Sequence, residues 1–125
     1  ILDQVKNNEL EGDGIISVDN IAGGQSKIVK TFLWKSGVKI SSKLFYGFEE
    51  LDFDIQVKKL GFCSIVPKEL YRRQRYHPRR EEIIREKLTS RESLWRQYYS
   101  TRNLLFIFQK HSLYCALSFL LIRNY

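Results

Sequence analysis

Four carboxylates, Glu49, Glu50, Asp52 and Asp54, fall within six residues, directly after the aromatic run Leu44-Phe45-Tyr46-Gly47-Phe48. Repulsion among carboxylates this close makes one of them a better proton acceptor. A carboxylate within hydrogen-bond reach of a hydroxyl removes its proton as the oxygen attacks. Leu51, Phe53, Ile55, Val57 and Leu60 recur on a helical face and Gly61 supplies a stop, so the carboxylates are expected in the first turn of a helix. The helix dipole favours negative charge there, which gives one or two of them a structural reason. Four is more than capping needs.

The second concentration of charge is cationic. Arg72, Arg73, Arg75, Arg79 and Arg80 stand around Tyr71, Tyr76 and His77 between Lys68 and Arg80. Guanidinium forks suit phosphate oxygens, and the segment is expected to be a loop that Pro78 helps keep out of a helix. Residues 1–61 hold eight Lys/Arg against nine Asp/Glu, whereas residues 62–125 hold thirteen against five. A basic half of this kind suits phosphates or an anionic membrane surface, or is a solvated basic face. His77 and His111 lack an i, i+4 partner, and Cys63 and Cys115 lie far apart without a CxxC pair. No metal or redox spacing stands on its own, and a reducing cytoplasm fits best.

The elements that must position these groups can be read from periodicity. At 125 residues, with 43% hydrophobic and 28% charged positions, the chain suits one modest domain and argues against disorder. Gly14 to Ile21 reads as a strand buried on both sides, ending in the turn Ala22-Gly23-Gly24. Ser26 to Val29 reads as a second short strand, Lys30 to Lys35 as a helical turn stopped by Ser36-Gly37, and Phe62 to Val66 as a strand closed by Pro67. Helix is expected from Glu81 on, with Thr89-Ser90-Arg91-Glu92 in capping-box form. The next helix carries Leu94, Trp95, Tyr98, Tyr99, Arg102, Leu105, Phe106 and Phe108, an aromatic stripe at helical spacing that suits a core or a docking face. The apolar tail from Leu113 to Ile122 is shorter than the ~20 residues a bilayer span requires, but suits a position in the membrane interface. The absence of methionine and the opening Ile1-Leu2-Asp3 read as a piece of a longer protein.

In order and spacing these features resemble family 2 glycosyltransferases over roughly residues 15–110. Val18-Asp19, Gly23-Gly24, Ile28-Val29-Lys30, Leu33 and Gly37 look like the family's strand, glycine turn and short helix. Phe45-Tyr46-Gly47-Phe48-Glu49-Glu50-Leu51-Asp52-Phe53 is similar to the aromatic approach to its Glu-Asp motif with a further Asp two residues on. Lys58-Lys59-Leu60-Gly61-Phe62 and Ile65-Val66-Pro67 are similar to the family's stretch on the C-terminal side of that motif. Tyr98-Tyr99 with Arg102-Asn103 resembles a pattern of rhamnosyltransferase-like members.

The resemblance implies an α/β class: a partial GT-A fold, the C-terminal part of a mixed sheet with flanking helices, followed by C-terminal amphipathic helices. Residues 1–80 would be the acceptor-side part of the catalytic domain and residues 81–125 a helical, membrane-associated extension. It implies Glu50 as general base of an inverting transfer with Glu49 as its orienting neighbour, and Gly23, Gly24 and Asp52 at the acceptor. It further implies Arg72, Arg73 and Arg75 at the donor diphosphate, His77 as a metal ligand, and a divalent metal, Mg or Mn. The implied partners are a nucleotide-sugar donor, a glycan or lipid-linked acceptor and the cytoplasmic membrane surface, without nucleic acid. The implied setting is cell-surface polysaccharide synthesis, peripheral at the inner face of the cell membrane.

The chain departs from the family in two places. Glu50 stands where an Asp is usual, and Arg72-Arg73 occupy the region after Pro67 where a metal-binding His is often found. The family's Asp-x-Asp nucleotide-binding half is not in this sequence, and Asp52-Phe53-Asp54 has its letters but lies inside the base helix. The chain alone is therefore expected to be inactive. The competing expectations are a small basic nucleic-acid-binding module built on Arg72 to Arg80 and a non-catalytic membrane-surface protein.

Overall fold

The computed structural model describes residues 5–21, 27–76, 94–116 and 118. In chain order the described elements are a 3₁₀ turn (Asn7–Leu10), β1 (Ile15–Val18), α1 (Thr31–Lys35), α2 (Glu49–Lys59), β2 (Ser64–Pro67), α3 (Lys68–Arg75) and α4 (Leu94–Lys110). The fold is thus a small mixed α/β arrangement, mostly helical, around a two-stranded antiparallel sheet.

β1 and β2 pair with Ile16 opposite Val66 and Val18 opposite Ser64. Alternation turns these four toward the core and leaves Ile15 and Ile65 outward, 68% and 71% exposed. The expected burial of this strand on both sides is therefore corrected. A two-stranded sheet with one packed face leaves every second residue outside. The inner face joins Val5, Leu10, Val18 and Val66 in one hydrophobic cluster, against which Ile16, Ile21 and Tyr71 pack.

A second cluster forms around α1 and α2 from Leu33, Val38, Phe53 and Val57. Both helices end in the same way. At α2 the Gly61 N–H donates to the Lys58 carbonyl and the Phe62 N–H to that of Val57, with Gly61 at φ 80°. This paired closure needs a left-handed residue, which glycine adopts without steric cost. Gly37 at φ 89° closes α1 likewise. Trp34 packs on Phe53 and Phe32 on Phe62, fixing α1 against α2.

Two further expectations are corrected. Residues 27–30 carry no strand, and Ile28 is fully exposed. Among the described residues no strand pairs with this run, and a short β-branched run without a paired neighbour gains little from extension. Residues 68–75 form α3 rather than a loop. Pro67 occupies the N-cap position, where its missing N–H costs no helical bond, and Glu69 pairs with Arg73 one turn on. The capping-box segment Thr89 to Glu92 lies outside the described residues. Among the described residues no helix is long and apolar enough to cross a membrane.

Candidate functional site

The start of α2 is built on an unusual turn. Tyr46, Gly47 and Phe48 have φ of 62°, 92° and 68°, and Phe48 is the N-cap of α2. Two non-glycine residues in the left-handed region, one on each side of Gly47, require compensation. It comes from α4. The Asn103 side-chain amide donates to the carbonyls of Phe45 at 2.9 Å and Gly47 at 3.0 Å, with the Tyr46 carbonyl at 3.4 Å. Its two hydrogens are used by the two short contacts. Arg102 donates to the Lys43 carbonyl and, through Nε, to Oδ1 of Asn103 at 3.2 Å. Rings reinforce the grip, with Phe45 against Tyr99 and Tyr46 against Trp95 at centroid distances of 5.0 and 4.6 Å.

The four carboxylates of α2 have separate fates. Asp52 is completely buried, and Lys110 Nζ lies 2.8 Å from both of its oxygens while His111 Nε2 lies 2.7 Å from Oδ1. Gln56 Nε2 adds a contact to Oδ2 at 3.1 Å. An ionised carboxylate only accepts, so Nε2 of His111 carries the proton. Asp52, expected at the acceptor, thus has both oxygens occupied. Burial holds the His111 imidazole below its ordinary range, against the opposing pull of its hydrogen bond to Asp52, and the charges of Lys59 and Lys110 add to the lowering.

Asp54 is likewise buried. It accepts from Lys27 Nζ at 2.6 Å, Asn20 Nδ2 at 2.7 Å and the Ile21 N–H at 3.3 Å. Together with the Asp19–Lys58 ion pair, this ties the segment after β1 to α2. Glu49 is half-buried, and its Oε2 is sealed from solvent without a hydrogen-bond partner among the described residues. Glu50 is half-buried like Glu49, and among the described residues no hydrogen bond or ion pair occupies its carboxylate. The site therefore contains two compensated carboxylates beside two that are not.

The expected diphosphate arginines all lie on α3. Arg72 is 3.9 Å from Asp13, Arg73 pairs with Glu69, and Arg75 donates to the Val5 carbonyl at 2.7 Å. α3 packs on β2 and the 3₁₀ turn, in the hydrophobic cluster that contains Tyr71 rather than the one that contains α2. Gly23, Gly24 and His77 lie outside the described residues. Among the described residues no three His, Cys, Asp or Glu side chains gather in a way that could hold a metal ion. The described residues form no site for the implied Mg or Mn, so no chemical step is routed through one.

Sequence reasoning did not place Lys27, Lys110 or His111 in the site. One signal was available: Asn103, Ile107, Lys110 and His111 follow a helical i, i+4, i+7, i+8 pattern, so two polar ends share a face with a buried apolar residue. Comparisons of the chain with protein-family models, with curated proteins and with solved structures find no match.

Proposed function

We propose that this chain is the acceptor-side part of a GT-A-type, family 2-like glycosyltransferase in which Glu50 is the general base. The supporting observation is the uneven treatment of the four carboxylates. Lys110 neutralises Asp52, to which His111 adds a hydrogen bond, and Lys27 neutralises Asp54. Glu50, in the first turn of the same helix, has no such partner among the described residues. A carboxylate left open in a site whose other charges are compensated is free to accept a proton.

In the proposed reaction the acceptor hydroxyl oxygen attacks the anomeric carbon of the donor sugar, and Glu50 takes the hydroxyl proton. The bond from the anomeric carbon to the diphosphate oxygen breaks, its electron pair leaves with the nucleoside diphosphate, and the anomeric configuration inverts. Glu49 orients Glu50 from its half-buried position. Arg72, Arg73 and Arg75 serve the departing diphosphate, for which fixed positive charge is the required complement. The exposed Leu94, Trp95 and Tyr98 on α4, at 62%, 44% and 63%, together with Arg96, which stacks on Trp95, suit a peripheral position at an anionic membrane face.

The test is Glu50→Gln in the protein that includes the nucleotide-binding half, with nucleoside diphosphate release followed over a panel of nucleotide sugars. Turnover is expected to fall by at least about a hundredfold while donor affinity is unchanged. Turnover like that of the wild type removes Glu50 from the role.

A further inference from the structure

We infer that Asn103, braced by Arg102, is a positioning residue that sets the start of α2 and with it the aim of Glu50. This rests on the role proposed for Glu50 above.

Asn103 is completely buried, although the N-terminal part of its own helix, from Leu94 to Tyr98, is exposed. A buried amide persists where its hydrogen-bonding capacity is used, and here the targets are backbone rather than side chain. Both short amide contacts end on the turn immediately before α2. That turn holds Tyr46 and Phe48 in a conformation that non-glycine residues avoid. Without the amide the turn has reason to relax, and the Phe48 carbonyl, which accepts the Asp52 N–H at 3.0 Å, would move with it.

The same face of α4 holds α2 a second time. Lys110 and His111 clasp Asp52, two residues beyond Glu50. The chain is thus gripped at its carbonyls before Glu49 and at a carboxylate after Glu50, and both grips come from α4 and the residue that follows it. Glu50 lies between the two fixed points without a side-chain partner among the described residues. Its direction is therefore set by the backbone, and the backbone by Asn103 and Asp52. General-base geometry is sensitive to this, since a displacement of about 1 Å costs about a hundredfold in rate.

The experiment compares wild type, Asn103→Ala and Arg102→Gln in the complete protein. Amide hydrogen exchange and turnover are both measured, the latter also in the Glu50→Gln background. For Asn103→Ala, exchange at residues 52–54, the first amides of α2 that have an intrahelical acceptor, is expected to rise at least about tenfold while β1 and β2 are unchanged. kcat should fall about ten- to a hundredfold with donor KM unchanged, and no further loss should appear on top of Glu50→Gln. Unchanged exchange at residues 52–54, faster exchange with unchanged kcat, or a loss additive with Glu50→Gln each overturns the inference. If Asn103→Ala loosens the whole chain, Arg102→Gln decides by the same criteria with smaller effects. Turnover that survives Glu50→Gln overturns both the base assignment and this inference. It is distinguishable because the exchange change would still be confined to residues 52–54.

Discussion

Replacing Lys110 by Met keeps the length of the side chain and removes its charge, leaving Asp52 with His111 and Gln56 as its donors. Removing one partner of a fully buried ion pair costs about 3–5 kcal/mol. The Lys110 side chain is 33% exposed, so water screens part of the attraction and the full figure does not apply. With His111 still donating at 2.7 Å, a loss of about 1–2 kcal/mol at pH 7.5 is expected. For a chain of this length that corresponds to a melting point lower by about 4–8 °C.

The dependence on pH separates this account from a generic packing defect. In the wild type the folded-state pKa of His111 is lowered, chiefly by burial. Below the ordinary value of 6.5 the unfolded chain therefore binds more protons than the folded one. Its contribution to stability falls as pH drops through that window and is restored as pH rises. Lys110→Met removes one of the influences lowering the His111 pKa and leaves Asp52 uncompensated, so this pKa moves up. The mutant's deficit should then be largest at pH 7.5 and shrink toward pH 5.5, as a protonated His111 takes over the charge of Lys110. Urea denaturation at pH 5.5, 6.5 and 7.5, followed by circular dichroism, measures both quantities. A mutant as stable as the wild type at pH 7.5, or a deficit that grows toward acid, refutes the reasoning.

Arg73 is 74% exposed and paired with Glu69 one turn away, so Arg73→Ala should cost only about 0.3–0.5 kcal/mol while weakening nucleoside diphosphate binding in the complete protein; calorimetry showing unchanged affinity removes Arg73 from that role. Ile15 and Ile65 lie on the uncovered side of the sheet, and the double Ile→Thr variant should keep stability to within about 1 kcal/mol. It should also reduce concentration-dependent association in sedimentation, and association equal to the wild type's would show that this face is not what associates.

Local signals made α2 legible in the sequence. Its acidic first turn, its basic Lys58 and Lys59 and the Gly61 stop all lie within or next to the element they define. α1 was legible for the same reason. α3 was not, because arginine density and Pro78 favour a loop on local grounds, whereas Pro67 at the N-cap and the Glu69–Arg73 pair favour the helix. For β1, an unbroken apolar run predicts burial on both faces, yet the number of partner strands decides it, and that is a tertiary fact. The burial of Asp52 and Asp54 was hidden because their partners Lys110, His111 and Lys27 lie 27 to 59 residues away. Arg102-Asn103 stood out as a pair of residue types, but only the structure connects it to the carbonyls of residues 43–47.

The arrangement of α2 has a geometric logic that bears on how the chemistry can be tested. Residues two apart on a helix point about 200° apart, so Asp52 and Asp54 necessarily face different neighbours. One meets α4, the other the segment after β1. Glu49 shares the Asp52 side at i, i+3, which fits its buried Oε2. Glu50 shares the Asp54 side at i, i+4, one turn nearer the helix N-terminus. Asn20 and Lys27, which reach Asp54, bracket the Gly23-Gly24 pair in sequence, the pair that the family resemblance assigns to the acceptor. The two aspartates therefore hold the rotation of α2 from opposite sides through directional charged contacts. Substituting either one is expected to disturb the fold, whereas Glu50 contributes to neither clamp. Glu50→Gln should leave the urea midpoint within error of the wild type, so a loss of turnover in that variant would report on proton transfer and not on the fold.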